Sequence, residues 1–147
     1  MCYSENARTY LLREGVHPGS VYVVGSPMAE IFEHYKKSIE KSAVLQTLKL
    51  QKGKYFVASV HREENVDFDT PLKKLVESLN AVAEEYKMPI IMSTHPRTAK
   101  RLKEENLKLH KLVNLHKPLG YFDYMQLQKN AFCVLSDSGS IPEEAAL

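Results

Sequence analysis

The 147 residues suffice for one domain with a hydrophobic core, and 44% hydrophobic against 26% charged residues is an ordinary globular balance. The 20 Lys and Arg face 18 acidic residues, so no basic excess marks nucleic acid or an anionic membrane as the main partner. No apolar run reaches the length of a membrane span, and no charged segment followed by an apolar one opens the chain, so a cytoplasmic protein is expected.

In chain order, Ser4 to Arg13 reads as a helix stopped near Gly15. Val21–Val24 is a short β-branched run, followed by a helix that begins at Ser26-Pro27 and carries Met28, Ile31, Phe32 and Tyr35. Tyr55–Val60 reads as a strand. The next helix places Leu72, Leu75, Val76, Leu79, Val82, Ala83 and Tyr86 on one face at spacings of three and four, with Asp69 or Thr70 as cap and Pro71 in the first turn. Pro89–Ser93 is a strand, Pro96–Asn106 a charged and mostly exposed helix, and Leu112–Leu115 a strand. Tyr121–Asn130 is a short aromatic helix, and Ala131–Leu135 a strand whose Cys133 is expected to be a buried, reduced thiol. Several strands are apolar throughout, the pattern of strands covered on both faces of a parallel sheet. Strand and helix in alternation predict an α/β fold, a Rossmann-like doubly wound parallel sheet with right-handed crossovers. A helix opens at Ile141-Pro142, and the residues to Leu147 give too few turns to cover the sheet, so an incomplete domain is expected.

Ligands of open α/β sheets bind beyond the carboxyl ends of the strands. There the sequence places His61-Arg62-Glu63-Glu64-Asn65, then Thr94-His95-Pro96-Arg97, then His116-Lys117-Pro118-Leu119-Gly120-Tyr121, and last Ser136-Asp137-Ser138-Gly139-Ser140 with Glu143-Glu144. The last set suits a phosphate or diphosphate: a Gly-containing turn lets backbone N–H groups approach an anion, and a helix N-terminus adds partial positive charge. Asp137 or Ser140 as a plain helix cap explains the same residues. Arg62 suits a phosphate and His61 proton transfer near neutral pH, against a strand-end histidine kept for packing. His95 repeats that pattern one strand on. The histidine spacings match no zinc site, and no metal is expected. The aromatics Tyr121, Phe122 and Tyr124 either offer a face to a base or point into the core. His17, His34 and His110 read as surface residues, and Lys100 to Lys108 as a solvated helix face.

Taken in order, His61-Arg62-Glu63-Glu64-Asn65, His95-Pro96, Pro118-Leu119-Gly120-Tyr121 and Asp137-Ser138-Gly139-Ser140-Ile141-Pro142-Glu143-Glu144 resemble the non-hydrolysing UDP-N-acetylglucosamine 2-epimerases. Ser4 to Val16 and Val24-Gly25-Ser26-Pro27 fit as well, so the likeness covers essentially the whole chain. It implies one half of a two-domain GT-B architecture, a UDP-sugar substrate, no cofactor and a homodimer. It also implies that the catalytic carboxylates belong to an N-terminal domain that this sequence lacks, as it lacks the C-terminal end. By the same resemblance Ser138 and Gly139 hold the diphosphate and Glu144 the ribose hydroxyls. His61 is a catalytic residue near the leaving group, Arg62 and His95 bind substrate in the cleft, and Tyr124 lies near uracil. Departures from the family pattern fall at Glu63, Ser140, Pro142 and Pro96-Arg97-Thr98, and resemble a subgroup acting on 6-deoxy UDP-sugars. A GT-B glycosyltransferase or a non-catalytic UDP-sugar-binding module are the competing readings.

Overall fold

The structure, a computed structural model, describes residues 1–60, 68–141 and 144. It divides into two compact units, one of residues 1–35 with 140–147 and the other of residues 36–139.

In the first unit, helix α1 (Glu5–Arg13) starts where the Ser4 hydroxyl accepts the Ala7 N–H at 3.2 Å. Acidic Glu5 in its first turn and basic Arg13 in its last complement the helix dipole. Gly15 follows at φ +89°, a backbone that glycine adopts without a Cβ clash. A single 3-10 turn (Pro18–Ser20) is capped by His17, whose Nδ1 accepts from Gly19 N–H. Val21–Val24 does not join the sheet expected of it. It makes one isolated parallel bridge, Val23 with Cys2, which buries Cys2 and Val21. A β-branched run without a long partner has nothing to pair with beyond that bridge. Helix α2 (Met28–Glu40) begins in this unit as expected and extends into the second.

The second unit holds helix α3 (Val44–Thr47), strand β1 (Phe56–Ser59), helix α4 (Asp69–Tyr86), strand β2 (Ile90–Ser93), helix α5 (Pro96–Glu104), strand β3 (Val113–His116), helix α6 (Tyr121–Asn130) and strand β4 (Cys133–Ser136). Among the described residues the strands form one parallel sheet in the order β3-β2-β1-β4. One face packs Phe56, Ala58, Ile90, Met92 and Val113 against Leu79 and Ala83 of α4. Leu72 and Val76 of α4 in turn meet Leu102 of α5 on that side. The opposite face packs Tyr55, Val57 and Ile91 against Val44 of α3 and Leu127 of α6. Alternate residues along each strand therefore serve different layers, as a period of two requires. The helices leading to β2 and β3 lie on one face and the helix leading to β4 on the other. Right-handed crossovers demand this arrangement when the strand order reverses.

Four expectations are corrected here. Full burial on both faces holds for β1 and β2 but not for β3 and β4, which are edges of this sheet and half-exposed. Cys133 is accordingly exposed, while Cys2 is the buried thiol; both are free. The cap of α4 is Phe68, with Asp69 already helical and no side-chain cap bond, so Pro71 is its third residue. Helix α5 ends two residues early, at Glu104, because Asn106 takes a left-handed φ of 50°. No helix among the described residues is long and apolar enough to cross a membrane.

Candidate functional site

The site is built by the last residues of the strands in the second unit. The sheet register aligns His116 with Ser93, Ser93 with Ser59, and Ser59 with Ser136. One row across all four strands is therefore polar, and the row before it reads Leu115, Met92, Ala58 and Leu135. The change from apolar to polar at a single level makes the carboxyl edge of the sheet a hydrophilic ledge.

Hydrogen bonds fix this ledge. Buried Thr94 donates its N–H to the His116 carbonyl at 2.8 Å and its hydroxyl to the Met92 carbonyl at 2.9 Å, so its polar atoms are satisfied. Ser136 Oγ donates to the Ser59 carbonyl at 2.9 Å and accepts the Ser138 N–H at 3.0 Å. These two bonds tie the turn after β4 to the end of β1. Strand order reverses between β1 and β4, and the crevice at such a switch point is where open α/β sheets bind ligands. A cavity of about 350 Å³ opens there, lined by Val60, Thr70, Pro71, Lys74 and Asp137 among others.

The predicted residues fall as follows. Ser138 and Gly139 sit on the serine-tied turn at the switch point. The Ser138 N–H is engaged by Ser136 at 3.0 Å. Gly139 has no left-handed φ, and a Cβ placed on it meets nothing within 4 Å. Neither backbone nor packing among the described residues demands a glycine there. His95 is exposed and caps α5, its Nδ1 accepting the Arg97 N–H at 3.3 Å. In the neutral ring that bond leaves the proton on Nε2, a donor for a ligand oxygen. Tyr124 packs with Leu119 and Val134 onto the cluster around Tyr55, while Tyr121 and Phe122 are exposed and meet edge to face at 5.9 Å. Glu144 belongs to the other unit, where its N–H donates to the Ser140 carbonyl at 3.0 Å, the first turn of the expected helix. His61 and Arg62 lie outside the described residues, as do Glu63, Glu64, Asn65, Pro142 and Glu143.

His110 is not the surface residue expected of it. Its side chain is half-buried, accepts the Leu112 N–H at Nδ1 and lies 3.2 Å from Glu84. The sequence reading gave no role to Ser59 or Lys74, and named Ser136 among the strand-end residues without assigning it one. The signal for the serines was present, since three of the apolar strands end in Ser.

Comparison with known proteins decides the family. The family model for UDP-N-acetylglucosamine 2-epimerase matches residues 1–147. The chain belongs to the UDP-N-acetylglucosamine 2-epimerase family. It is 38% identical to the UDP-N-acetylglucosamine 2-epimerase of Methanocaldococcus jannaschii, over 98% of this chain and 41% of that protein. The crystal structure of the M. jannaschii UDP-GlcNAc 2-epimerase in complex with UDP-GlcNAc and UDP superposes with a TM-score of 0.87 at 39% identity, covering 99% of this chain and 41% of that one. The UDP-N-acetylglucosamine 2-epimerase from Rickettsia bellii gives 0.86 at 39% identity, over 97% and 38%. The chain thus spans about 40% of the length of the epimerases it matches.

Proposed function

We propose that this chain is the UDP-binding half of a non-hydrolysing UDP-N-acetylglucosamine 2-epimerase. The observation that carries the proposal is the switch-point turn Asp137-Ser138-Gly139, tied by Ser136 to the end of β1 on an all-polar row. Membership of the epimerase family and the likeness to a relative solved with UDP-GlcNAc and UDP support the choice of ligand.

In the proposed roles the Ser138 hydroxyl donates to a diphosphate oxygen, and the open space above Gly139 admits the phosphates close to the backbone. His95 adds its Nε2 proton in the cleft, Tyr124 lies toward uracil and Glu144 accepts from the ribose hydroxyls. Arg62 compensates the diphosphate charge, and His61 stands near the leaving group. The reaction removes the C2 proton and expels UDP from C1, giving a 2-acetamidoglucal. UDP then returns to C1 as a proton is delivered to the opposite face of C2. The proton-moving carboxylates are assigned to an N-terminal domain outside this sequence. Holding the leaving group is the task left to this chain. The product is the ManNAc epimer or a related 6-deoxy sugar, and the protein works as a homodimer. Two free cysteines fit a reducing, cytoplasmic setting.

The test is deuterium wash-in. The two-domain protein carrying this chain, incubated with UDP-GlcNAc in heavy water and no acceptor, is expected to incorporate deuterium at C2. Sugar transfer that requires an acceptor, without C2 exchange, would identify a glycosyltransferase instead.

A further inference from the structure

The edge of the sheet away from the switch point carries a second surface. Residues 96–117 hold seven Lys and Arg against two Glu, in a chain whose net charge is +2. Two cavities of about 390 and about 410 Å³ lie between α5 and β3, and they share Ala99, Lys103 and Leu115 in their linings. Together they form one groove running along the strand. Its floor is apolar, with Ala99 and the partly exposed Leu115. Lys100, Lys103, Lys108 and Lys117 stand around it, and no carboxylate lines it among the described residues. Glu104, just outside, meets Lys100 at 3.6 Å in solvent, where such a pair neutralises little.

The strand itself completes the pattern. Ile90 N–H bonds the Leu112 carbonyl and Thr94 N–H the His116 carbonyl. In a parallel ladder this turns residues 112, 114 and 116 toward β2 and the backbone of Leu115 outward. The outward N–H and C=O of Leu115 are a short template for an added strand, while the Val113 N–H is already bonded to the His110 carbonyl at 2.9 Å.

We propose that the groove between α5 and β3 docks an acidic, extended segment of a partner protein, which adds to the β3 edge. Its apolar side chains cover Leu115 and Ala99, and its carboxylates meet the four lysines. A nucleic acid fits less well, because no aromatic side chain other than His116 lines the groove for base stacking.

The test is fluorescence anisotropy on the 147-residue chain, with a dye-labelled peptide of alternating Glu and Val as probe. The peptide is expected to bind and to weaken as salt rises. The Lys100→Gln/Lys103→Gln double variant, checked for native circular dichroism, should bind about tenfold more weakly. Methylating alternate backbone nitrogens of the peptide should abolish binding, which a purely electrostatic contact would not show. Equal affinity for a Lys-Val peptide, tighter binding of single-stranded DNA, or indifference to backbone methylation would each overturn the proposal. Absence of binding at millimolar peptide would also overturn it and leave the lysines as guards against edge-to-edge pairing.

Discussion

Ser136 does more for the site than its bland place in the sequence suggests. Accepting from Ser138 N–H and donating to the Ser59 carbonyl, it converts a turn after an edge strand into a ledge fixed to the centre of the sheet. In the two-domain protein Ser138→Ala is expected to weaken UDP by about 10- to 100-fold, the usual worth of a hydrogen bond to a charged group. Gly139→Val should act in the same direction while leaving the melting temperature unchanged, since a Cβ at that position meets none of the described residues within 4 Å. Calorimetric titration and thermal melts check the pair together. Tyr55 makes a separate prediction about stability. It is fully buried, and its hydroxyl donates to the Leu127 carbonyl at 2.7 Å. Tyr55→Phe orphans that carbonyl and should cost about 1–2 kcal/mol at neutral pH. Burial pushes the Tyr55 hydroxyl up to about 12 from 10.0, so the unfolded chain ionises first as pH rises. The wild type therefore loses stability relative to the Phe variant from pH 10 toward pH 12, and urea midpoints at pH 9 and pH 11 measure the difference. At this scale the sequence placed the end of Pro89–Ser93 correctly and missed the other three strand ends by one residue, which fall at Ser59, His116 and Ser136. It did not show that the Ser138 N–H is already taken, nor that Cys133 is exposed, because both depend on which strand is the neighbour.

Among the elements, helices were the more legible. Tyr121–Asn130 is a helix over the expected residues, and the apolar face of α4 from Leu72 to Ala83 packs as its spacing implies. A helix forms from local bonds and a local period, so its evidence is contiguous. Strands need partners, and Val21–Val24 shows the consequence: a run richer in β-branched residues than β1 yields one bridge. Helix α3, at four residues, is too short to leave a period. The α5–β3 connection depends on a contact across 30 positions that no local pattern reveals. The Asn80 side chain donates to the Lys108 carbonyl at 2.9 Å and accepts from His110 N–H at 2.7 Å, clamping that connection to α4. Asn80→Ala is expected to destabilise the chain by about 2 kcal/mol, two hydrogen bonds of about 1 kcal/mol each, as chemical denaturation would show. Hydrogen exchange should then quicken at Leu112 and Val113 before it does at β1.

At the scale of the whole molecule, the reversal of strand order between β1 and β4 puts a crevice beside the turn that the sequence marked for a diphosphate. Fold class was legible because strand and helix patterns alternate along the chain. The strand order was not, since an apolar run carries no label for its neighbour. In the proposed reading this chain holds the leaving group, and the proton chemistry at C2 is assigned to a domain outside this sequence. The most direct measurement is an amide NMR titration of the chain with UDP. The account predicts saturable shifts at Ser138 and Gly139, with smaller ones at His95 and Tyr124, and none of these in Ser138→Ala at the same concentration. No shifts at millimolar UDP, or shifts confined to the α5–β3 groove, would contradict it.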